Sequence, residues 1–354
     1  MISGKSNFLF FRRNILKWNE LDNNREMPWK GEADAYKIWL SEIILQQTRV
    51  NQGLEYYKKF IKAFPNVHVL AKSSEEKVYK LWEGLGYYNR CKNLIETAKY
   101  ISQNLDGQFP NTYESILHLK GVGEYTASAI ASFAFKLPYA VVDGNVYRVL
   151  ARFFGINKSF NSSKEKIFYK NLAQQLLDNK KPGIYNQAIM DFGATVCTPQ
   201  NPKCNDCILK KECVAFKFTK QESLPVKKAK LKNKNVFFSY AVFYFKEKMA
   251  IKKRTGNNIW NNLYEFYLLP IESEFSKTEL QHKVVEIFPD INNSQISVSE
   301  KFHQKLTHLN VQSVFLKINL KKQIKLPKEY KWVSKQELNQ FSFPKIIRNY
   351  LLEY

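Results

Sequence analysis

The chain has 354 residues, a length that suits two domains, and carries 55 Lys and Arg against 32 Asp and Glu, a formal charge of +23. With 44% hydrophobic and 25% charged residues and few Gly or Pro, it fits neither a collagenous nor a disordered class, and no apolar run is long enough for a membrane helix. Residues 1–7 lack the apolar stretch and small-residue cleavage site of a secretory signal, so a cytoplasmic globular protein is expected. The basic excess is spread over both halves of the chain rather than held in a tail. That favours a polyanionic partner, most simply nucleic acid, although the Lys- and Asn-rich composition of AT-rich genomes produces the same charge without one.

Residues 1–215 read as helices in series. Within 35–50, Ile38, Trp39, Ile43, Ile44 and Leu45 recur at helical spacing, and 74–85, 89–104, 125–136, 146–154, 163–179 and 184–192 continue the pattern. Pro65, Gly84, Gly86, Gly107, Pro110, Gly121, Gly123, Gly155 and Pro182-Gly183 punctuate these segments. The texture changes at 216–235, which is polar, Lys-rich and without period. Beyond it, 236–245 and 311–320 are short, aromatic and β-branched, as strands are, and 276–288 and 335–352 read as helices. The expected organisation is a mostly α-helical domain over 1–216, a basic linker over 217–234 and an α+β domain over 235–354.

Three features carry chemistry. The first is Leu119-Lys120-Gly121-Val122-Gly123-Glu124-Tyr125, a Gly-x-Gly turn leading into a helix. It is either a plain helix–helix turn or a helix-hairpin-helix, whose free N–H groups at the second helix suit a DNA phosphate. The second is Asp143 in Val141-Val142-Asp143-Gly144-Asn145-Val146, at the end of an apolar run and directly before a helix. An N-cap and a catalytic carboxylate both fit that position. The third is a cysteine quartet, Cys197, Cys204, Cys207 and Cys213, in the pattern C-x6-C-x2-C-x5-C. In a chain without a secretory signal the clustering points to a metal site rather than disulfides, and spacing alone admits a four-cysteine zinc site as well as an iron–sulfur cluster. Cys91 stands apart, as a packing residue.

The order of these elements resembles the helix-hairpin-helix DNA glycosylases with an iron–sulfur loop, and more closely the adenine DNA glycosylases of the MutY type. The resemblance covers essentially the whole chain. Trp39-Leu40-Ser41-Glu42-Ile43-Ile44-Leu45-Gln46-Gln47-Thr48 carries a Ser-Glu that the sister endonuclease III family usually lacks. Tyr125 stands where lyase-active relatives place a Schiff-base lysine, and Asp143-Gly144-Asn145 replaces the sister's Asp-Thr-His. The second domain resembles the MutT-like (Nudix) fold, absent from endonuclease III. It lacks the Glu-rich metal box of a pyrophosphohydrolase, although 254–266 matches the family's Trp…Leu-x-Glu-Phe region.

The resemblance implies a monofunctional enzyme that excises adenine mispaired with 8-oxoguanine, or with guanine. Adenine leaves poorly unless a ring nitrogen is protonated, so a general acid must stay neutral near pH 7. Glu42 shares a helix face with Ile38 and Leu45, and burial there raises a carboxyl pKa. The family role of Glu42 is protonation of N7. Asp143 meets the positive charge left on the sugar, parallel to the acid/carboxylate pair of glycosidases, and Tyr125 and Asn145 orient the pair. DNA contacts are implied for Trp29, Lys30, Gln47, Tyr87, Lys120, Gly121 and Gly123, with Gln47 filling the gap of the flipped base and Tyr87 wedging beside the lesion. Thr307 and His308, in Lys305-Leu306-Thr307-His308-Leu309, match the family's Phe-Ser-His lesion-recognition loop, and strand-edge packing is the plain alternative for them.

The cysteine quartet implies one 4Fe-4S cluster, with Lys203, Lys210, Lys211 and Lys217 around it for DNA docking. Two departures from the family pattern stand out. Lys30 replaces an Arg and loses its bidentate donor fork, and Lys120 replaces a Pro. The expected partner is double-stranded DNA with an A:8-oxoG or A:G mispair, bound by a monomer. The rival readings are a bifunctional endonuclease III-type pyrimidine glycosylase/AP lyase and a non-catalytic DNA-binding protein with a structural four-cysteine site.

Overall fold

The computed structural model describes residues 4–159, 162–226, 233–256, 259–271 and 276–353. The most Lys-rich part of the expected linker, 227–232, and Asn257 and Asn258 of the 254–266 string lie outside the described residues. The chain forms two compact units. One comprises residues 1–72 and 93–229, and the other 73–92 and 230–354. The units are therefore interleaved in sequence: a short segment from within the helical half clusters with the C-terminal residues.

The first unit is helical. Its elements are α1 (Lys5–Leu21), α2 (Ala35–Leu45), α3 (Val50–Ala63) and α4 (Val67–Lys72). After α5 (Glu75–Trp82) of the second unit and α6 (Asn89–Asn104), which crosses between units, come α7 (Tyr113–Leu117), α8 (Glu124–Phe133), α9 (Gly144–Phe153), α10 (Ser163–Leu176), α11 (Pro182–Thr195) and α12 (Val214–Lys217). α2 is buried almost all round, from Tyr36 through Ile44, as a helix central to a bundle must be. Phe11, Ile15 and Trp18 of α1 join Val149, Leu150 and Phe153 of α9, Tyr169 and Leu172 of α10, and Phe192 of α11 in one core cluster. Long helices α1 and α3 lie outside the predicted set. The predicted helix over 35–50 stops at Leu45, where Gln46 turns out of helical geometry and Gln47 adopts a positive φ.

The second unit is a mixed sheet with helices. Strands β1 (Lys234–Phe245), β2 (Lys248–Lys253), β3 (Tyr264–Glu265), β4 (Tyr267–Leu268), β5 (Ile296–Val298), β6 (Phe302–Lys305), β7 (Leu309–Asn319) and β8 (Tyr330–Ser334) accompany α13 (Lys277–Ile287) and α14 (Lys345–Glu353). The main path is β3-β2-β1-β7-β5, with β4 on β1, β6 on β7 and β8 on β2. β1 and β7 run parallel from Lys234↔Leu309 to Tyr244↔Asn319, and the remaining pairs are antiparallel. Both faces of β1 are covered, which explains its unbroken apolar run. Ala241 and Phe243 share a cluster with Leu280 and Val284 of α13, while Tyr240 stacks on Phe315, which stacks on Tyr350 of α14.

The predicted helix over 335–352 is two pieces, a 3-10 turn at Glu337–Gln340 and α14. Pro344 intervenes. It has no N–H to donate and disfavours helical geometry at Phe343, so a continuous helix fails there.

Candidate active site

The site is assembled in the first unit from the end of α2, the start of α8 and the start of α9. Glu42 sits in the last turn of α2 and is only 6% exposed. Burial raises its carboxyl from the ordinary range to about 7; a hydrogen bond from Tyr125 opposes that shift, and the charge of Asp143 adds to it. Near neutral pH Glu42 is thus part protonated and able to donate. Tyr125 lies in the first turn of α8, and its hydroxyl donates to the Glu42 carboxylate. Gln46, one turn beyond Glu42, reaches Thr126 beside it, with Nε2 to Oγ1 at 3.2 Å.

Asp143 is the N-cap of α9, and that position also orients its carboxylate. As the N-cap of α9, its Oδ1 accepts from the Val146 amide at 2.7 Å; its Oδ2 accepts from Asn145 Nδ2 at 2.7 Å. Burial raises its pKa, and those donors together with Arg148 pull it back. A carboxylate that already receives two fixed donors is oriented and held toward its ionised form, which is what a group facing developing positive charge requires.

Arg148 is a side chain of the site that the sequence pattern did not flag. Its NH2 group donates to Asn145 Oδ1 at 2.7 Å and to the Gly193 carbonyl at 2.6 Å, and Nε donates to the Cys197 carbonyl at 2.7 Å. It links the first cysteine of the quartet, through Asn145, to Asp143. Gly193 permits this: a Cβ there would lie 2.7 Å from Asn145 Cβ, so α11 comes this close only with a glycine. The one visible signal was the spacing of Arg148 in the Asp-Gly-Asn-Val-Tyr-Arg string, three residues past Asn145, where it shares a helix face.

The hairpin between α7 and α8 runs through Lys120 to Gly123. Gly121 has φ +78, and a Cβ on it would collide with Asn93 at 2.7 Å, so the turn requires glycine twice over. Gly123 is the N-cap of α8 and offers no side chain, which leaves the first-turn amides of the helix without a side-chain cap. Lys120 is exposed and pairs with Glu96, and its carbonyl accepts from Thr97 Oγ1 at 2.9 Å. The added charge is therefore shared with a carboxylate rather than presented alone.

Lys30 is likewise turned inward. Its Nζ lies 3.3 Å from Asp191 Oδ2, while Arg25 contacts Asp191 Oδ1 at 2.7 Å. Asp191 is fully buried in α11 and also accepts from Asn23 and Gln187, so it ties down the 23–30 loop that carries Trp29. Trp29 packs edge-on against Tyr57 at 5.4 Å. Gln47 is exposed with φ 55 in the turn after α2, the left-handed geometry that lets a side chain project from a tight turn.

Tyr87, Thr307 and His308 belong to the second unit. Tyr87 and Thr307 are joined by a hydrogen bond between their hydroxyls, and His308 is exposed with its carbonyl accepting from the Lys234 amide at 3.0 Å.

The four cysteines line one small cavity, together with Arg152, Lys203 and Lys210. Among the described residues no three His, Cys, Asp or Glu side chains converge closely enough to hold a single metal ion. Four thiols lining one cavity are a donor set that suits an iron–sulfur cluster. Burial pushes the Cys207 thiol up to about 12 and raises those of Cys204 and Cys213. Arg152 braces the loop by donating to the Thr198 carbonyl at 2.7 Å, the Leu224 carbonyl at 2.9 Å and Cys197 Sγ at 3.4 Å.

A model described as HhH-GPD superfamily base excision DNA repair protein matches residues 40–175, and a NUDIX domain model matches 239–353. The adenine DNA glycosylase of Buchnera aphidicola subsp. Schizaphis graminum is 35% identical over 315 residues, 88% of each chain. That of Mus musculus is 45% identical over 215 residues, 58% of this chain and 42% of the relative. Among solved structures, a thermostable thymine-DNA glycosylase superposes with a TM-score of 0.55 at 30% identity, covering 60% of this chain and 98% of that one. An endonuclease III trapped on DNA shares the fold at a TM-score of 0.53 and 19% identity, covering 61% and 99%. With near full-length identity to one relative and both domain types in order, the chain belongs to the adenine DNA glycosylase family.

Proposed function

We propose that this chain hydrolyses the N-glycosidic bond of adenine mispaired with 8-oxoguanine, and of adenine opposite guanine more weakly. The observation that carries the reading is Glu42: a carboxyl held at about 7 by burial, hydrogen-bonded to Tyr125 and within the field of Asp143. Glu42 gives its proton to adenine N7. The C1′–N9 bond breaks, its electron pair leaves with the neutral base, and C1′ takes on positive charge. The Asp143 carboxylate, oriented by Val146 and Asn145, offsets that charge until water adds at C1′ and loses a proton.

Tyr125 cannot form a Schiff base, and the Lys120 amine is engaged in an ion pair with Glu96. Both points favour a monofunctional glycosylase over a lyase. The base reaches the site by leaving the stack, with Gln47 entering the vacated space, Tyr87 wedged beside the lesion and Thr307 and His308 reading it. The hairpin amides of α8, Gly121, Gly123, Lys120, Trp29 and Lys30 form the DNA-contacting set, and the partner is duplex DNA bound by a monomer.

Cys197, Cys204, Cys207 and Cys213 would hold the 4Fe-4S cluster, which would supply thiolate ligation tying the loop together, with no redox step required for bond cleavage. The purified protein should then be yellow-brown with a broad absorption near about 400 nm; a colourless, folded, zinc-loaded protein would refute that assignment. For the activity, duplexes with a single A:8-oxoG, A:G, thymine glycol:A or U:G pair are incubated with the protein. Free adenine from the first two only is expected, and release of the pyrimidines instead would overturn the reading.

A further inference from the structure

Arg90 is a guanidinium buried to 9% exposure, at the start of α6, three residues after the exposed Tyr87. Its guanidinium carbon lies 5.1 Å from the Trp82 ring centroid and 5.4 Å from that of Tyr87, so the flat cation faces both rings. Arg90 NH2 donates to the Gly86 carbonyl at 3.3 Å, which also accepts from Trp82 Nε1 at 2.9 Å, and the Arg90 amide donates to the Tyr87 carbonyl at 2.8 Å.

Tyr87 itself is unusual. It is 44% exposed and has φ 49, a left-handed conformation that a bulky L-residue adopts only when its surroundings impose it. Its tip is held separately, by the hydroxyl contact to Thr307. One ring is thus fixed at its backbone, along its face and at its hydroxyl.

We propose that Arg90 is a positioning residue for lesion recognition: lying over both the Trp82 and the Tyr87 ring, it holds the Tyr87 ring projecting in the orientation that enters the DNA stack. This rests on the reading that Tyr87 is the wedge. A mobile tyrosine would lose rotational freedom on each insertion, whereas a pre-positioned one does not, and the difference appears only where insertion occurs. The rival role for a buried Arg in a basic protein is a phosphate contact. At 9% exposure, with its NH2 group on Gly86 and its faces on two rings, Arg90 is placed for the ring and not for the backbone of DNA. Lys cannot substitute, because an ammonium has no flat face to lie over two rings.

The test uses the full chain and equilibrium binding. The duplex carries 2′-fluoro-2′-deoxyadenosine opposite 8-oxoguanine, since the electronegative fluorine resists bond cleavage; the reference is the same sequence fully paired. The ratio of the two Kd values is measured for wild type, Arg90→Gln, Arg90→Lys, Tyr87→Ala and the Arg90→Gln/Tyr87→Ala double variant. Arg90→Gln and Tyr87→Ala should each lower the ratio about tenfold, on the scale of one lost base–aromatic stack. The double variant should be no worse than Tyr87→Ala alone, and Arg90→Lys should stay near Arg90→Gln; should Gln fail to fold, Lys carries the same cycle. Additive losses, full rescue by Lys, or an equal loss on both duplexes with a salt slope shallower by about one would overturn the proposal, the last by making Arg90 a phosphate ligand. An unchanged ratio in Tyr87→Ala would instead remove the wedge reading, and the positioning role with it.

Discussion

The pH dependence of excision follows from how Glu42 is held. Burial and the charge of Asp143 keep it at about 7, against the donor hydrogen bond of Tyr125, which stabilises the ionised form. A general acid works only while protonated, so single-turnover release of adenine should fall through an alkaline limb centred near about 7 and drop about tenfold per pH unit beyond it. Tyr125→Phe keeps the ring and removes the donor. A hydrogen bond to a charged group has a net worth of about 1.5–3 kcal/mol, so the limb should move up by about one to two pH units.

The assay is quenched single-turnover cleavage of an A:8-oxoG duplex, read from about pH 5 to about pH 10 for both proteins. A limb that stays put, or moves down, in Tyr125→Phe would refute this account of the Glu42 pKa. The same shift sets a stability trend: the folded value lies above the unfolded one, so the contribution of neutral Glu42 is complete below the ordinary carboxyl range and is lost as pH rises through about 7.

Other outcomes follow from the same geometry. Asp143→Asn should lose more than about a hundredfold in rate while keeping its circular dichroism, because an amide oxygen still caps the Val146 amide but carries no charge. Thr307→Ala with His308→Ala should cost about 1–2 kcal/mol of discrimination between A:8-oxoG and A:G, with equal losses on both duplexes pointing to a general DNA or stability role instead. Wild type should leave an abasic strand intact until alkali is added and give little borohydride trapping, and Tyr125→Lys should raise trapping. Efficient wild-type trapping that disappears in Lys120→Ala would mean that Lys120 is a lyase nucleophile.

How much of this was legible beforehand varies with the range of the interaction. α2 was readable because its signal is local: Ile38, Ile43 and Leu45 fix the apolar face, and Glu42 falls on it. α6 ends where the pattern placed it, at Asn89 and Asn104. α1 was not readable from its start, because Gly4 provides no side-chain cap to mark it, although Phe11, Ile15 and Trp18 carry the helical period. Pro344 was visible but its consequence, the division of 335–352, was not drawn from the pattern.

The pairings that orient the site are long-range and have no sequence period. Arg148 reaches the carbonyls of Gly193 and Cys197, Lys30 turns to Asp191, and Lys120 finds Glu96 on another helix. Each is fixed by the packing of whole helices, which only the folded chain reveals. The interleaved unit boundary has the same origin: Glu83, just after α5, accepts from the Phe343 amide at 2.9 Å and from Arg348 at 2.8 Å, contacts that join residues distant in sequence.

Proton donation by Glu42 is tested most directly by Glu42→Gln in single-turnover excision from an A:8-oxoG duplex, with binding measured in parallel. The variant keeps the size of the side chain and loses the proton. Wild type should release free adenine, and Glu42→Gln should release none while binding the mispair within about tenfold of wild type. Turnover by Glu42→Gln near the wild-type rate would contradict it.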